Sequence, residues 1–271
     1  MPIDAPLNVN PVDDADDKRL RPYTALKERA LAAEAGLFIC EGTHSVQRLL
    51  ACGIEVASVL IVEHRVDEVA SLVPAGVPVY TASSDLLSRI VGYEFHQGML
   101  ACGVRPAPAP VESLLPARTL VVLPEVRNVE NLGLIIRAAH ALGVDGLLLS
   151  DKGCDPFTRR VTRVSMGSVF GLPIARSVDL GADMRRLKDE HGFTLVAAVA
   201  DADATPVHAF RRSGDQGVAV VFGNEPDGLS DAWAGLCDVR VTIPMKPGVD
   251  SLNLAVAAGI ILHRITSANA R

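Results

Sequence analysis

Polar side chains occur in three short segments where hydrophobic packing alone gives no reason for them. The last segment, residues 243–253, reads Ile-Pro-Met-Lys-Pro-Gly-Val-Asp-Ser-Leu-Asn and leads directly into an apolar stretch. Its prolines and glycine interrupt regular backbone hydrogen bonding, so its backbone donors and acceptors stay free for a ligand. Ser251 is a plausible N-cap for the following helix, whereas Asn253 places an amide at the mouth of an apolar helix. This chemistry indicates a ligand site.

The two other segments lie earlier in the chain and carry charged side chains. Residues 124–137 contain Asn131 at the start of an apolar helical pattern and Arg137 within it. Asn131 could be an ordinary N-cap, and Arg137 an ordinary solvated surface charge. Residues 221–230 contain Glu225 close to the end of an apolar strand. This segment could be an ordinary turn, but a carboxylate near a buried strand end needs a partner, and Arg137 would serve.

Length, composition and charge limit the class of protein. The chain has 271 residues, enough for one large domain or two ordinary ones. Hydrophobic residues make up 49% and charged residues 21%, which is typical of a globular protein. The net charge of −6 requires any nucleic acid to bind at a local basic patch. The chain shows neither a membrane-length apolar run nor a secretory signal, so we expect a cytoplasmic protein with no membrane partner.

The cysteines give no sign of a disulfide framework or a metal site. They are odd in number and scattered, and no pair has the spacing of metal ligands. We therefore expect reduced thiols in the core and no bound metal. The five are Cys40, Cys52, Cys102, Cys154 and Cys237.

The first part of the chain has the pattern of a small α/β domain. Residues 1–17 are acidic and polar and are expected to be frayed, and residues 18–35 favour a helix. The domain spans 18–105 and is followed by a proline-rich segment, 106–117, which predicts a stiff linker. The periodicity predicts strands at 37–40, 57–62, 77–81 and 99–104, with helices at 43–51 and 84–91.

Residues 118–271 alternate between strands and helices. The strand segments are unbroken apolar runs, which favours a parallel sheet covered on both faces, and hence a doubly wound α/β domain. Ligands of such domains bind beyond the carboxyl ends of the strands, where all three polar segments fall. Strands are predicted at 120–123, 146–149, 194–199, 218–222 and 239–243, and helices at 131–142, 158–165, 184–191 and 251–266.

Together, the three segments resemble the three motifs of the SpoU (TrmH-type) RNA ribose methyltransferases, a family of the SPOUT superfamily. The resemblance covers residues 119–267, and residues 38–42 and 96–101 resemble the family's substrate-binding domain, an RNA-binding fold like that of a ribosomal protein. The matching residues are Asn131-x-Gly133-x-x-x-Arg137, then Gly223-Asn224-Glu225-x-x-Gly228-Leu229, then Ile243-Pro244-Met245 with Ser251-Leu252-Asn253.

The resemblance implies a fold and a cofactor. The second domain would be an α/β fold whose C-terminal strands and helix form a deep trefoil knot, a rare exception among protein folds. S-adenosyl-L-methionine would bind in the knot, and the protein would be a homodimer through the knot domain. The apolar C-terminal helix agrees with such an interface, because a helix that is apolar nearly all round must be buried. The implied cofactor-binding residues are Gly223, Asn224, Gly228, Ile243, Met245 and Leu252.

The resemblance also implies a reaction, methyl transfer to a ribose 2′-hydroxyl of RNA. Arg137 would be either the general base or a clamp on an RNA phosphate that stabilises the developing alkoxide. The implied catalytic residues are Arg137, Asn131, Glu225, Ser251 and Asn253. A separate front domain favours ribosomal over transfer RNA as the substrate. Candidate RNA contacts, which could instead be a solvated helix face, are Arg159, Arg160 and Arg163.

Two other functions fit parts of the sequence. A non-catalytic, knotted, dimeric RNA-binding protein would share the fold, but it would not need all five catalytic positions. A dinucleotide-dependent oxidoreductase would share the parallel sheet, but the chain lacks a Gly-x-Gly-x-x-Gly turn after the first strand of that sheet. The methyltransferase is the favoured interpretation.

Overall fold

The chain folds into two compact units whose boundaries differ from the predicted ones. The computed structural model describes residues 7–24, 36–96, 98–225 and 227–267. Unit 1 comprises Met1–Ala107 and Phe157–Gly171, and unit 2 comprises Pro108–Pro156 and Leu172–Arg271. The segment Phe157–Gly171, which the sequence places in the second domain, therefore belongs to unit 1, and with it the three candidate RNA-binding arginines.

The strands form one sheet in each unit. Unit 1 contains β1 (Asn8–Pro11), β2 (Leu37–Glu41), β3 (Val56–Val62), β4 (Pro78–Ala82) and β5 (Met99–Val104). Unit 2 contains β6 (Thr119–Leu123), β7 (Gly146–Ser150), β8 (Ile174–Ser177), β9 (Thr194–Ala198), β10 (Thr205–Pro206), β11 (Val218–Phe222) and β12 (Val239–Thr242).

The described helices, in chain order, are α1 (Arg21–Thr24), α2 (Thr43–Ala51), α3 (Ser84–Val91), α4 (Val129–Ala141), α5 (Arg159–Val164), α6 (Leu180–Asp189), α7 (Asp231–Ala234) and α8 (Leu254–Ser267). Short 3-10 turns occur at Lys18–Leu20, Glu63–Glu68, Val111–Leu114 and Ser168–Phe170. No helix in the described ranges is long and apolar enough to cross a membrane.

The sheet of unit 1 has the order β1-β4-β3-β5-β2, and β5 runs antiparallel to both of its neighbours. The predicted strands and helices from residue 37 to residue 104 are confirmed. The expectation that residues 1–17 are frayed is wrong for Asn8–Pro11, because this segment pairs in parallel with β4 at the sheet edge. A proline is tolerated there because an edge strand does not need every donor. Residues 1–6 and most of the helix predicted at 18–35 lie outside the described residues.

The segment Phe157–Gly171 completes the core on one face of this sheet. The ring of Phe38 in β2 lies 5.3 Å from that of Phe157 and 5.9 Å from that of Phe170, measured between centroids. Arg48 of α2 donates a hydrogen bond of 2.8 Å to the carbonyl of Met166. The aromatic packing and the hydrogen bond to the Met166 carbonyl together explain why this segment folds with unit 1.

The sheet of unit 2 is parallel throughout and has the order β10-β12-β9-β11-β6-β7-β8. The five predicted strands and the predicted parallel pairing are confirmed. The sequence does not reveal β8 and β10, because β8 is an edge strand with the polar Arg176 and Ser177, and β10 has only two residues.

The proline-rich segment is not a free linker over its whole length. From Pro108 onwards it belongs to unit 2, where Ala109 forms a parallel bridge with Ala175 of β8. Val111 and Leu114 are buried in the core against the sheet. The prediction of a linker at 106–117 is therefore wrong beyond residue 107, because these two apolar side chains anchor the segment.

The cysteines are not all in the core. Cys40 and Cys102 are buried, and burial raises the pKa of the Cys102 thiol to about 11. Cys52 follows the last residue of α2 and is exposed, so the expectation of core thiols is wrong for this residue.

Candidate active site

Three polar side chains from distant segments meet in one hydrogen-bonded triangle in unit 2. Asn131 Nδ2 donates to Glu225 Oε2 at 2.7 Å. Asn253 Nδ2 donates to Asn131 Oδ1 at 3.0 Å and to Glu225 Oε1 at 3.2 Å. Asn131 is 3% exposed, so its amide needs such partners. We refer to these three residues as the Asn–Glu–Asn triangle.

Asn131 is free to join the triangle because it does not cap α4. The cap is Asn128, whose Oδ1 accepts hydrogen bonds from the backbone N–H groups of Glu130 and Asn131 at 2.8 and 3.3 Å. The N-cap interpretation of Asn131 is therefore wrong. Asn131 is the third residue of the helix, and its side chain bonds to two other segments instead of its own backbone.

The N-cap of α8 also differs from the predicted one. Asn253 Oδ1 accepts from the backbone N–H groups of Ala255 and Val256 at 3.0 and 3.2 Å. The helix begins at Leu254, so Ser251 lies too far upstream to cap it. Asn253 thus uses its oxygen to cap α8 and its nitrogen to hold the triangle, which explains an amide at this otherwise apolar position.

Glu225 has no ion-pair partner in the triangle and is held by neutral donors. Its Oε1 accepts from the backbone N–H of Leu254 at 2.9 Å and from the Asn253 amide, and its Oε2 accepts from the Asn131 amide. The first turn of a helix favours a carboxylate, because the unpaired N–H groups there carry partial positive charge. The prediction that Arg137 would pair with Glu225 is wrong.

Arg137 is exposed and has no hydrogen-bond or ion-pair partner among the described residues. It follows Asn131 by six residues, which turns it about 240° around the helix axis at about 100° per residue. The two side chains therefore leave α4 on different faces. Arg137 is a cation that the described protein atoms do not neutralise, so it can bind an external anion.

A cavity of about 680 Å³ lies at the carboxyl ends of β9, β11 and β12. Glu225, Ser251 and Asn253 line it, whereas Asn131 and Arg137 do not. All six residues with an implied role in cofactor binding also line it: Gly223, Asn224, Gly228, Ile243, Met245 and Leu252. Among the described residues, no group of three or more His, Cys, Asp or Glu side chains is arranged to hold a metal.

The loop after β11 closes tightly on itself beside this cavity. The backbones of Asn224 and Gly228 exchange two hydrogen bonds of 2.9 Å. A Cβ atom on Gly223 would lie 2.1 Å from the carbonyl carbon of Gly228 and from the nitrogen of Leu229. Only glycine fits at Gly223, and Gly228 has a φ of +69°, which favours glycine as well.

Two charged residues of the cavity lie outside the three segments that the sequence singles out. Asp201 follows β9, Arg240 lies in β12, and both line the cavity. Arg240 Nη2 lies 3.1 Å from Asp201 Oδ2. The position of Asp201 just beyond a predicted strand was the available signal, whereas Arg240 resembles an ordinary exposed strand residue.

Two of the three candidate RNA-binding arginines lie beside a buried carboxylate in unit 1. The Glu41 side chain is 1% exposed, with Arg163 Nη1 at 3.1 Å from Oε1 and Arg159 Nε at 3.6 Å from Oε2. Arg159 also donates to the Tyr93 hydroxyl at 2.8 Å. Burial, followed by the nearby Glu41 charge, raises the pKa of Tyr93. Arg160 is exposed.

The chain matches two sequence models of known families. Residues 118–263 match the model of the SpoU rRNA Methylase family, which covers more than half of the chain. The chain belongs to the SpoU methylase family. Residues 17–101 match the model of the MRM3-like substrate binding domain, as expected for a SpoU methylase with a separate front unit.

Named relatives match nearly the whole chain. An uncharacterized tRNA/rRNA methyltransferase of Mycobacterium tuberculosis is 36% identical and covers 96% of this chain and 92% of its own. The 23S rRNA (guanosine-2′-O-)-methyltransferase RlmB of Acinetobacter baylyi is 31% identical, over 82% of this chain and 94% of its own. The AdoMet-bound rRNA methyltransferase of Sinorhizobium meliloti has a similar structure, with a TM-score of 0.81, 28% identity and 95% and 97% coverage.

Proposed function

We propose that this SpoU methylase transfers a methyl group from S-adenosyl-L-methionine to a ribose 2′-hydroxyl of RNA, and that its substrate is ribosomal rather than transfer RNA. The observation that carries the proposal is the meeting of the three motif segments in unit 2, at the Asn–Glu–Asn triangle and the adjoining cavity. Relatives named as 23S rRNA 2′-O-methyltransferases support the reaction and the choice of ribosomal RNA.

The size of the cavity and the backbone exposed at its wall suit the cofactor. Its volume of about 680 Å³ falls within the range of small-molecule sites. The missing side chain at Gly223 leaves backbone at the cavity wall, and Ile243 and Leu252 line the same wall. The family resemblance implies that backbone groups at these positions hold the cofactor. When bound, the cofactor supplies an activated methyl group with a good leaving group.

Arg137 acts on the RNA side of the reaction. A guanidinium stays protonated in proteins, so it is poorly suited to remove a proton from the ribose hydroxyl. An exposed arginine without a protein partner can instead bind a phosphate next to the reacting ribose and stabilise negative charge that develops there. We therefore assign Arg137 the role of an anion clamp.

The Asn–Glu–Asn triangle positions the cavity wall. Glu225 joins the loop after β11 to the start of α8, and Asn131 joins both to α4. Ser251 and Asn253 line the cavity from the start of the α8 segment. A fixed arrangement of this kind holds the methyl donor and the hydroxyl in line, which is the main task when the leaving group is already activated.

The knot, the dimer and the location in the cytoplasm form part of the same proposal. The C-terminal elements of unit 2 would form the deep trefoil knot of the family, and the protein would be a cytoplasmic homodimer through this domain. Exposed apolar side chains on α4 and α8, two helices that pack against each other, support the dimer. They are Leu134, Val256 and Ile260, with 43%, 51% and 41% exposure.

Unit 1 would bind the RNA substrate, with Arg159, Arg160 and Arg163 as contacts. The buried Glu41 holds Arg159 and Arg163 in place, while part of each arginine side chain remains exposed. Phosphate contacts of this kind position RNA without selecting a sequence. Arg160 is exposed on the same short helix.

Mapping of 2′-O-methyl groups tests the proposal. Total RNA from cells with and without the protein should differ at one or a few ribosomal positions, and the purified protein should transfer the labelled methyl group to RNA lacking that modification. Binding of labelled cofactor without transfer to any RNA would instead favour the non-catalytic RNA-binding protein.

A further inference from the structure

The charges that line the cavity are unequal in number. Among the described lining residues, four carry carboxylates and one carries a positive charge, the guanidinium of Arg240. The carboxylate residues are Asp201, Glu225, Asp227 and Asp250. The cavity therefore favours a ligand with net positive charge, and it offers one place for a negative group.

The ion pair between Arg240 and Asp201 contributes little to the stability of the fold. The side chains are 52% and 37% exposed, and pairs this accessible to water contribute little to stability. Arg240 lies opposite Ala197 of β9 in the strand register, and Asp201 comes three residues after the end of β9. The two charges thus lie side by side near the carboxyl end of β9, on the wall of a cavity at the sheet edge where ligands of such sheets bind.

S-adenosyl-L-methionine has complementary charges. At neutral pH it carries a sulfonium, an ammonium and a carboxylate, and the last two belong to its amino-acid end. Aspartate can accept hydrogen bonds from the ammonium, and arginine can bind the carboxylate through two parallel hydrogen bonds. The other acidic side chains would repel that carboxylate, so Arg240 is its favourable position in the cavity.

We propose that Arg240 binds the carboxylate and Asp201 the ammonium group of the amino-acid end of the cofactor, so that this pair selects for an intact amino acid. This inference rests on the proposed function, because it requires the cofactor to occupy the cavity. It adds a side-chain subsite to the backbone contacts by which the rest of the cofactor is held.

Cofactor analogues that lack one or more of the charged groups, the uncharged thioether 5′-methylthioadenosine among them, test the subsite by calorimetry without any methyl transfer. Decarboxylated S-adenosylmethionine keeps the ammonium and lacks the carboxylate, and 5′-methylthioadenosine lacks both. Arg240→Gln should weaken binding of S-adenosylmethionine about 10- to 100-fold, the usual effect of losing hydrogen bonds between charged groups. It should leave the affinity for the decarboxylated analogue unchanged or increased, because a positive charge near that ligand is removed.

Two further variants separate charge recognition from structural damage. Arg240→Lys should keep most of the preference for the intact amino acid. Asp201→Asn should weaken the binding of both ligands that carry an ammonium group. Neither Arg240→Lys nor Asp201→Asn should change the affinity for 5′-methylthioadenosine. Arg185→Gln, an exposed arginine of α6 outside the cavity, is the matched control and should change none of these affinities.

The outcomes distinguish the subsite from the proposed function. If the unmodified protein binds none of the three nucleosides, the assignment of the cavity to the cofactor is overturned, and the subsite with it. If the unmodified protein binds S-adenosylmethionine, the cofactor assignment stands. The subsite is then overturned if Arg240→Gln binds S-adenosylmethionine equally well, or if its affinity for all three ligands falls to the same extent.

Discussion

Asn253 Nδ2 donates a hydrogen bond of 3.0 Å to Asn131 Oδ1, across 122 residues of sequence. Each side-chain amide both donates and accepts. Asn131 Nδ2 donates to Glu225, and Asn253 Oδ1 accepts from the backbone at the start of α8. Aspartate could accept at either position but could not donate, so the pattern requires amides. The link makes the start of α8 dependent on α4, and the position of Ser251 and Leu252 follows from both.

Asn253→Ala should reduce both stability and catalysis. It removes a helix cap, at a cost of about 0.5–2 kcal/mol in the free energy of unfolding, and it also leaves Glu225 and Asn131 short of a donor. Displacement of the cavity wall should lower methyl transfer about a hundredfold. Asn128→Ala is the matched control, because it removes the cap of α4 without a contact to Glu225. Equal losses of activity in the two variants, measured beside urea unfolding, would contradict the positioning role.

Arg137→Ala should strongly reduce catalysis and spare the cofactor site. The side chain is exposed and makes no hydrogen bond or ion pair among the described residues, so the free energy of unfolding should change by no more than about 0.5 kcal/mol. Loss of one charge-stabilising group should lower kcat about 10²–10³-fold. Calorimetric titration should give an unchanged affinity for S-adenosylmethionine. Transfer rates equal to those of the parent protein would rule out the anion clamp.

Gly223→Ala should destroy the cofactor site through its backbone. The added Cβ would collide with the backbone of Gly228 and Leu229, which cannot rotate away as a side chain can. We expect a loss of roughly 1–3 kcal/mol in the free energy of unfolding, together with loss of cofactor binding. Gly181→Ala in α6 is the control, since a Cβ there meets atoms no closer than 3.7 Å. A Gly223→Ala variant that binds the cofactor normally would show that the loop is not a rigid wall.

The double substitution Val256→Glu and Ile260→Glu should convert a dimer into monomers. Both side chains are exposed on α8, and burying charge against an apolar partner surface is unfavourable. Light scattering at micromolar concentration should report twice the chain mass for the parent protein and the single chain mass for the variant. Val178→Glu is the control, because Val178 is 89% exposed and lies outside both helices. A monomeric parent protein would refute the proposed assembly.

The sequence predicts the sheets well because their central strands are unbroken apolar runs, as in β6, β7 and β11. It fails at β1 and β8, edge strands with polar residues whose strand conformation depends on their neighbours. The sequence also suggests the wrong helix caps. Asn128 caps α4 in place of Asn131, and Asn253 caps α8 in place of Ser251, because several residues near each helix start can serve as caps.

The residues of the candidate site follow from the family resemblance, but their contacts do not. A carboxylate suggests a cationic partner, and Arg137 is the candidate that the sequence offers. The structure satisfies Glu225 with two amides and one backbone N–H instead. That arrangement depends on where α4 and α8 come together, which local sequence patterns do not encode.

The segment Phe157–Gly171 limits how this protein can be divided or recombined. It lies inside the stretch that matches the SpoU rRNA Methylase family, yet it folds with unit 1. A chain cut at the proline-rich segment would leave Phe38 without two aromatic neighbours and the buried Glu41 without either arginine. A chimera that takes unit 1 from another family member must therefore also take the counterpart of Phe157–Gly171 from it. Such an exchange requires three junctions in the chain, whereas a simple fusion requires one.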